Sequence, residues 1–151
     1  MMVVLKRKEI RYWRNELSVY KIISINHGKQ HGPTITIFDD RMHKEIYKNG
    51  EKIYEFVYRL GRLHYITPYR NGEKNGNEID YDLNYYEPGL VRRITPYKNG
   101  KKNGNVIKYC NEGFLSRYVA TYEHGILRSE TIFGDNDSIL SNINYKKRSR
   151  K

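Results

Sequence analysis

Two stretches of the sequence are nearly identical, ITPYRNGEKNGN at Ile66–Asn77 and ITPYKNGKKNGN at Ile94–Asn105, and they lie 28 residues apart. Both contain the pattern Tyr-x-Asn-Gly-x-x-x-Gly. Tight β-hairpin turns need positive φ angles, which glycine adopts freely and asparagine tolerates. Each stretch therefore predicts a β-hairpin, and their repetition predicts a repeat protein.

Weaker copies of this turn occur on both sides. The pair Asn49-Gly50 precedes the first full copy, and the pairs His27-Gly28 and His124-Gly125 mark the outer copies. The predicted repeat turns are Gly28, Gly50, Gly72, Gly76, Gly100, Gly104 and Gly125. A second series of turn signals lies between them, at Asp39-Asp40, Gly61, Gly89, Gly113 and Gly134. Turns this close together leave room for short strands but not for helices.

The stretches between the turns alternate between apolar and polar residues. This period of two is clear in residues 54–60, 79–85 and 139–145. It predicts a sheet with one more apolar face and one solvated face, and it places Asp80 and Asp82 on the solvated face. The predicted fold class is all-β, with tandem β-hairpin repeats forming one extended, twisted antiparallel meander.

One feature does not suit a regular ladder. Pro68 and Pro96 occupy equivalent places just before the two full turns. Proline has no N–H to donate to a neighbouring strand, so we expect a bulge or a strand end at both positions.

The two full copies resemble the MORN repeat, the membrane occupation and recognition nexus. Its usual form is a tyrosine, an Asn-Gly turn and a glycine four residues later, in units of about 23 residues. The resemblance covers about residues 21–134, and it is to the divergent form found in bacterial antitoxin-like proteins and in large DNA viruses. Two family features are missing: Gly76 and Gly104 are not followed by Gly-x-Gly, and no Glu-Trp precedes the turn. The resemblance implies a scaffold that binds proteins or acidic lipid, without catalysis.

The composition fits a thin sheet rather than a thick core. Of 151 residues, 38% are hydrophobic, 15 are tyrosine, and the mean hydropathy is −0.86. Tyrosine rings can cover a sheet while their hydroxyls stay in water. We therefore divide the chain into a basic capping segment at 1–20, MORN-like repeats at 21–145 and a basic tail at 146–151.

The net charge of +11 favours acidic or polyanionic partners. Two basic clusters are the candidate contacts, and the first is interleaved with Tyr12 and Trp13, as suits phosphate neutralisation and base stacking. Their members are Lys6, Arg7, Lys8, Arg11, Arg14, Lys146, Lys147, Arg148, Arg150 and Lys151. The alternative interpretation is a polar capping strand and a solubilising tail.

Residues that could carry chemistry are sparse. Cys110 is the only cysteine, so an intrachain disulfide is excluded. His27 and His31 flank turn glycines and predict a surface turn rather than a metal site. The segment Asp135–Asp137 lacks the glycine and distant glutamate of a calcium loop. We therefore predict no catalytic or metal site, no cofactor and no enzymatic activity.

Two functions remain open from the sequence. The first is a scaffold that mediates protein–protein interaction in a larger assembly such as a virus particle, with self-association expected of an open sheet. The second is an antitoxin-like, nucleic-acid-binding or acidic-lipid-binding module that acts through a basic face. No stretch is long and apolar enough for a transmembrane segment, and the N-terminal charge order is the reverse of a secretory signal. The expected location is intracellular or within a virus particle assembled in the cytoplasm.

Overall fold

The structure is a computed structural model of the whole chain, and it describes the backbone of residues 7–15, 17–83, 89–110 and 115–145. Side chains are described for residues 21–83, 89–110 and 116–145. Within this part of the chain, no helix is long and apolar enough to cross a membrane.

The described residues form fourteen β-strands and one short 3-10 helix. The first seven strands are β1 (Arg7–Asn15), β2 (Leu17–Asn26), β3 (Lys29–Phe38), β4 (Arg41–Lys48), β5 (Glu51–Arg59), β6 (Arg62–Arg70) and β7 (Glu73–Lys74). The others are β8 (Gly76–Tyr81), β9 (Val91–Lys98), β10 (Lys101–Lys102), β11 (Gly104–Tyr109), β12 (Leu115–Glu123), β13 (Ile126–Gly134) and β14 (Ile139–Asn144). The 3-10 helix, Asp135–Asp137, connects the last two strands.

The strands form one open antiparallel meander. Twelve of them follow one another across the sheet in chain order, from β1 to β14. The two-residue strands β7 and β10 stand off this path and extend the hairpin tips of β6 and β9. The predicted fold class, an all-β antiparallel meander of hairpins, is confirmed.

The repeat turns are tight because two successive residues have positive φ. In each such turn the residue before the glycine has a φ between 48° and 54°, at His27, Asn49, Asn71, Asn99 and His124. The glycine that follows is also at positive φ in all five turns. This pair of angles is that of the two-residue hairpin loop whose twist matches that of the flanking strands. Of the second turn series, Gly113 lies outside the described residues.

The strands continue through Pro68 and Pro96, so the irregularity lies in the facing strand rather than in the proline strand. The facing residue Asn75 separates β7 from β8, and its N–H donates to the Pro68 carbonyl at 3.0 Å. Asn103 makes the same 3.0 Å bond to Pro96. The expected bulge is therefore displaced across the hairpin, because the proline carbonyl still pairs while the extra residues lie opposite it.

Two faces of the sheet follow from the strand register. Side chains alternate between the faces, and directly paired residues share one. We call one the tyrosine face, because it carries the turn tyrosines Tyr47, Tyr69, Tyr97 and Tyr122. We call the other the isoleucine face, because it carries Ile35, Ile66, Ile79, Ile94 and Ile107.

Five of the six buried side chains of the described residues lie in one row across the tyrosine face. Thr34, Thr67 and Thr95 are each at most 4% exposed, and the row continues through Val106 and Ala120. Val106 and Ala120 are the only fully buried apolar side chains among the described residues. The sheet thus has a row of threonines, small apolar residues and half-buried glutamates in place of a thick core.

The second glycine of the repeat predicts a measurable stability difference. A Cβ at Gly76, whose φ is 109°, would lie 2.9 Å from Cγ of Pro68, whereas a Cβ at Gly72 would meet nothing within 4 Å. We expect Gly72→Ala to cost about 1 kcal/mol from positive φ alone and Gly76→Ala about 3 kcal/mol from strain plus the clash. Urea unfolding of both variants measures the difference.

A double variant isolates the clash. Ser24 stands opposite Gly32 where Pro68 stands opposite Gly76, and a Cβ at Gly32 would lie 3.6 Å from Cβ of Ser24. Gly76→Ala combined with Pro68→Ser should therefore recover about 1 kcal/mol relative to the sum of the single variants. Equal losses for Gly72→Ala and Gly76→Ala would contradict this account.

Candidate binding surfaces

The isoleucine face carries an unbroken row of paired side chains. From β2 to β12 the register places in one row Ile22, Ile35, Lys44, Phe56, Ile66, Ile79, Ile94, Ile107 and Val119. At about 4.8 Å between strands the row is about 40 Å long. From Ile22 to Val119 all its members are only half-buried. No second layer covers this row within the described part of the chain.

Side chains beside this row widen the apolar surface. Ile37, Tyr54 and Tyr109 lie two residues along their strands from the row and are 38%, 44% and 38% exposed. The one charged member, Lys44, has its Nζ 5.8 Å from the centre of the Phe56 ring, so its ammonium group lies near an aromatic face. A contiguous apolar surface of this size is typical of a site where another protein binds.

On the tyrosine face, lysines of one repeat lie over tyrosines of the next. The Lys52 Nζ is 4.1 Å from the centre of the Tyr69 ring. The equivalent distances are 5.0 Å from Lys74 to Tyr97 and 4.9 Å from Lys102 to Tyr122. Each lysine follows its turn glycine by two residues. The contacts therefore repeat along the sheet and join consecutive hairpins.

Carboxylates complete this row of contacts. Glu45 accepts from the Lys52 ammonium at 3.1 Å, and Glu55 accepts from the Tyr69 hydroxyl at 2.8 Å. Burial, followed by the bond to Glu55, raises the pKa of Tyr69 well above its usual value. Burial also raises the pKa of Tyr97, with Glu78 adding to the shift. Both phenols therefore stay neutral, and the Tyr69 hydroxyl remains a donor to Glu55.

Backbone hydrogen bonds tie the turns to the preceding hairpins. The Gly50 N–H donates to the Gln30 carbonyl at 2.8 Å, and the Gly100 N–H to the Lys74 carbonyl at 2.9 Å. The Gly125 N–H makes the same bond to the Lys102 carbonyl at 2.8 Å. Consecutive turns are thus hydrogen-bonded to one another in a line that runs across the strand ends on one side of the sheet.

Asp80 does not lie on a solvated face, so that prediction is wrong. It is 1% exposed on the tyrosine face, and its Oδ2 pairs with Nη2 of Arg92 at 3.1 Å and of Arg93 at 3.3 Å. Arg93 is its direct partner in the register, while Arg92 is the extra residue of a bulge. Two guanidinium groups compensate the burial of one carboxylate.

His64 completes this cluster, with its Nε2 3.7 Å from Asp80 Oδ1. Burial lowers the pKa of His64, and the positive charges of Arg92, Arg59 and Arg41 lower it further against the opposing effect of Asp80. The ring is therefore neutral at pH 7, and its contact with Asp80 is not an ion pair there. Asp80 Oδ1 makes no hydrogen bond to any residue that the structure describes.

The other residues predicted from the sequence lie in the turns, opposite the prolines, in β1 or outside the described residues. The seven predicted repeat glycines all have positive φ, five in the two-residue turns and two, Gly76 and Gly104, opposite the prolines. His27 is exposed in its turn, while the half-buried His31 places its Nδ1 3.2 Å from Asn49 Oδ1. Backbone of the N-terminal basic cluster is described only within β1, where Arg7, Lys8, Arg11 and Arg14 lie. Their side chains, Lys6 and the whole tail 146–151 lie outside the described residues.

Sequence reasoning missed both the lysine–tyrosine contacts and the Asp80 cluster. A signal for the first was present, because a lysine follows the turn glycine by two residues at Lys52, Lys74 and Lys102. No comparable signal marks the cluster, since Arg92 reaches Asp80 only through a bulge.

Comparison with known proteins leaves the family open. No family model matches the chain, and no curated protein matches it. Among solved structures, the chain has a likeness to the crystal structure of TarM, with a TM-score of 0.45 and 12% identity. The matched region is 64% of this chain and 19% of TarM, so the chain spans about a fifth of that protein.

TarM is a glycosyltransferase, and this finding contradicts the prediction that the chain is not an enzyme. At this TM-score the likeness carries no argument about what the chain does.

The lowered pKa of His64 predicts a pH effect on stability. In the unfolded chain the ring titrates near its ordinary value of about 6.5. As pH falls through that value, the unfolded state therefore takes up a proton before the folded state does. We expect the free energy of unfolding of the wild type to fall as pH decreases below about 6.5. The share of this fall that is due to His64 should be absent in His64→Gln.

The matched control is His124→Asn, because asparagine stands at that turn position in Asn49, Asn71 and Asn99. Urea unfolding between about pH 5 and 8 measures each variant, and His124→Asn should retain the wild-type dependence. A pH dependence that is identical in wild type and His64→Gln would contradict the assignment.

Proposed function

We propose that this chain is a MORN-like repeat scaffold whose isoleucine face binds another protein, as a structural component of a larger assembly such as a virus particle. The observation that carries the proposal is the half-buried apolar row from Ile22 to Val119 on a sheet with no second layer over it in the described residues. Apolar area removed from water contributes about 25 cal/mol per Å². Covering this row with a partner is therefore strongly favourable.

The opposite face supports the same assignment. Its tyrosines, lysines and carboxylates are occupied with one another, as in the contacts of Lys52 with Tyr69 and Glu45. These contacts keep the sheet in register without using the isoleucine face. A rigid sheet with one face left free is suited to presenting a docking surface.

Two substitutions test the proposal, one on the isoleucine face and one in a turn. Tyr54 is 44% exposed on the isoleucine face, whereas Leu60 is 74% exposed in a turn. Tyr54→Lys places a charge in the proposed contact and should lower recovery of the partner from the native source by at least about tenfold. Leu60→Lys should leave recovery unchanged. Tagged proteins and quantitative mass spectrometry at about 0.5 M salt, which screens charge contacts, provide the measurement.

Two results would contradict the proposal. One is a partner that Tyr54→Lys and Leu60→Lys retain equally. The other is a partner that wild type loses in high salt, since screening of charge weakens charge contacts but not an apolar contact. Circular dichroism of both variants confirms that the sheet is intact.

The second candidate is binding of a polyanion, and the distribution of charge assigns it to the chain ends. Residues 1–20 carry five basic and two acidic side chains, and residues 146–151 carry five basic ones. These two segments therefore hold +8 of the net +11, while residues 21–145 have 18 basic and 15 acidic side chains. Any binding of nucleic acid or acidic lipid should therefore depend on the ends rather than on a face of the sheet.

Replacing the five basic residues of 146–151 by glutamine tests this second candidate. If they contact about five phosphates, the slope of log K against log salt should become less steep by about 4.5. Fluorescence anisotropy with a labelled duplex at several salt concentrations measures the slope. An unchanged slope would show that the tail does not contact phosphates.

A further inference from the structure

The two edges of the sheet differ sharply in charge. The edge strand β1 carries five charged side chains among its nine residues, at Arg7, Lys8, Glu9, Arg11 and Arg14. The edge strand β14 carries none, and neither do its neighbours Ser138 and Tyr145. Charged side chains are the usual protection of an edge against pairing with another strand. One edge therefore has this protection and the other lacks it.

The β14 edge also exposes large apolar side chains. Ile139, Leu140, Ile143 and Tyr145 are 62%, 55%, 49% and 43% exposed. Four such residues within seven positions form the densest group of exposed large hydrophobic residues in the described part of the chain. Singly exposed apolar residues need no explanation, but a group on an unpaired edge is typical of an interaction site.

The backbone of β14 has donors that point away from β13. The Tyr145 N–H donates to the Arg128 carbonyl at 2.7 Å, so Tyr145 faces β13. Hydrogen bonding alternates along an antiparallel strand, and Ile143 consequently faces β13 as well. The N–H and C=O groups of Asn142 and Asn144 point outward, where no described strand pairs with them.

We propose that β14 is a self-association site at which a second copy of this chain adds its own β14 in antiparallel orientation. A second copy fits this edge because β14 can pair with itself in antiparallel register, and charge favours this edge over β1. Two chains of net charge +11 repel each other, and the uncharged edge is where they can meet without opposing like charges. The strand contains neither the proline nor the lysine that blocks edge pairing in monomers, and its one register shift, at Leu140, leaves residues 141–144 in regular pairing with β13.

A two-fold axis through Asn142 makes the pairing self-complementary. It sets Asn142 opposite its own copy and the apolar Ile143 opposite the small Ser141, while Leu140 is the extra residue of a bulge. The two Tyr145 residues then lie at opposite ends of the paired strands, about 20 Å apart. The basic sequences that follow Tyr145 in the two copies are therefore separated rather than side by side.

Sedimentation of the purified chain across about a hundredfold range of concentration tests the proposal. The contact is smaller than a standard interface of about 800 Å² per partner, so we expect a reversible micromolar dimer. Asn142→Pro removes an outward N–H without touching the bonds to β13. Ile143→Lys adds a charge to the edge. Each should raise the dimer dissociation constant by at least about tenfold.

Ile126→Lys is the matched control, because Ile126 is 56% exposed next to a repeat turn, at the end of β13 beyond the residues that pair with β14. It should dimerise as wild type does. Should Asn142→Pro lose its circular dichroism signal, Ile143→Lys decides the question. A wild-type chain that stays monomeric throughout, or a dimer that keeps its affinity in Ile143→Lys, would overturn the proposal.

The result is independent of the proposed function. Tyr54→Lys changes the isoleucine face and should leave the β14 dimer unaffected. A dimer that is lost in Tyr54→Lys but kept in Ile143→Lys would assign self-association to the isoleucine face and refute the β14 site. Loss of a protein partner without loss of the dimer would bear on the scaffold proposal alone.

Discussion

The described residues form a single sheet with no second layer to bury its side chains against, and this constraint governs the rest of the structure. In the described residues only Val106 and Ala120 are fully buried apolar side chains. Long side chains compensate by lying across the sheet, as Lys52 does with its Nζ over the Tyr69 ring. Such amphipathic groups bury their carbon atoms while their charges remain hydrated or paired. Small threonines fit the row beneath them.

This arrangement makes stability depend on neighbouring hairpins. The lysine of one repeat contacts the tyrosine of the next, and the Gly100 and Gly125 N–H groups bond to carbonyls of the preceding hairpin. Every one of these contacts joins consecutive units, so the sheet behaves as a one-dimensional array in which each unit supports its neighbours. A close approach of glycine to proline occurs in both full repeats. Because Gly76 and Gly104 have no Cβ, the strand that carries each proline can lie close to them.

The turns and strands could be predicted because their causes are local. Asn71 and Gly72 adopt positive φ for reasons that lie within two residues, and the alternation of residues 54–60 specifies a strand directly. The environment of Asp80 could not be predicted in the same way. Its burial depends on Arg93 across the strand pair and on a bulge that redirects Arg92. Alternation indicates that Asp80 lies on the face opposite the isoleucine row. It does not indicate that neighbouring side chains bury Asp80 on that face.

The edges and the faces of the sheet offer different contacts, and this difference limits how the protein can assemble. Antiparallel pairing of β14 with its own copy is isologous, so it uses the uncharged edge of both chains and leaves only the charged β1 edges at the two ends. Such an interface closes on itself, whereas pairing of β14 with β1 of the next chain would generate an open filament. Pairing at β14 would also join two isoleucine faces into one longer sheet surface. A partner with two equivalent apolar sites would then bind the dimer more tightly than the monomer, because its second contact forms at high effective concentration.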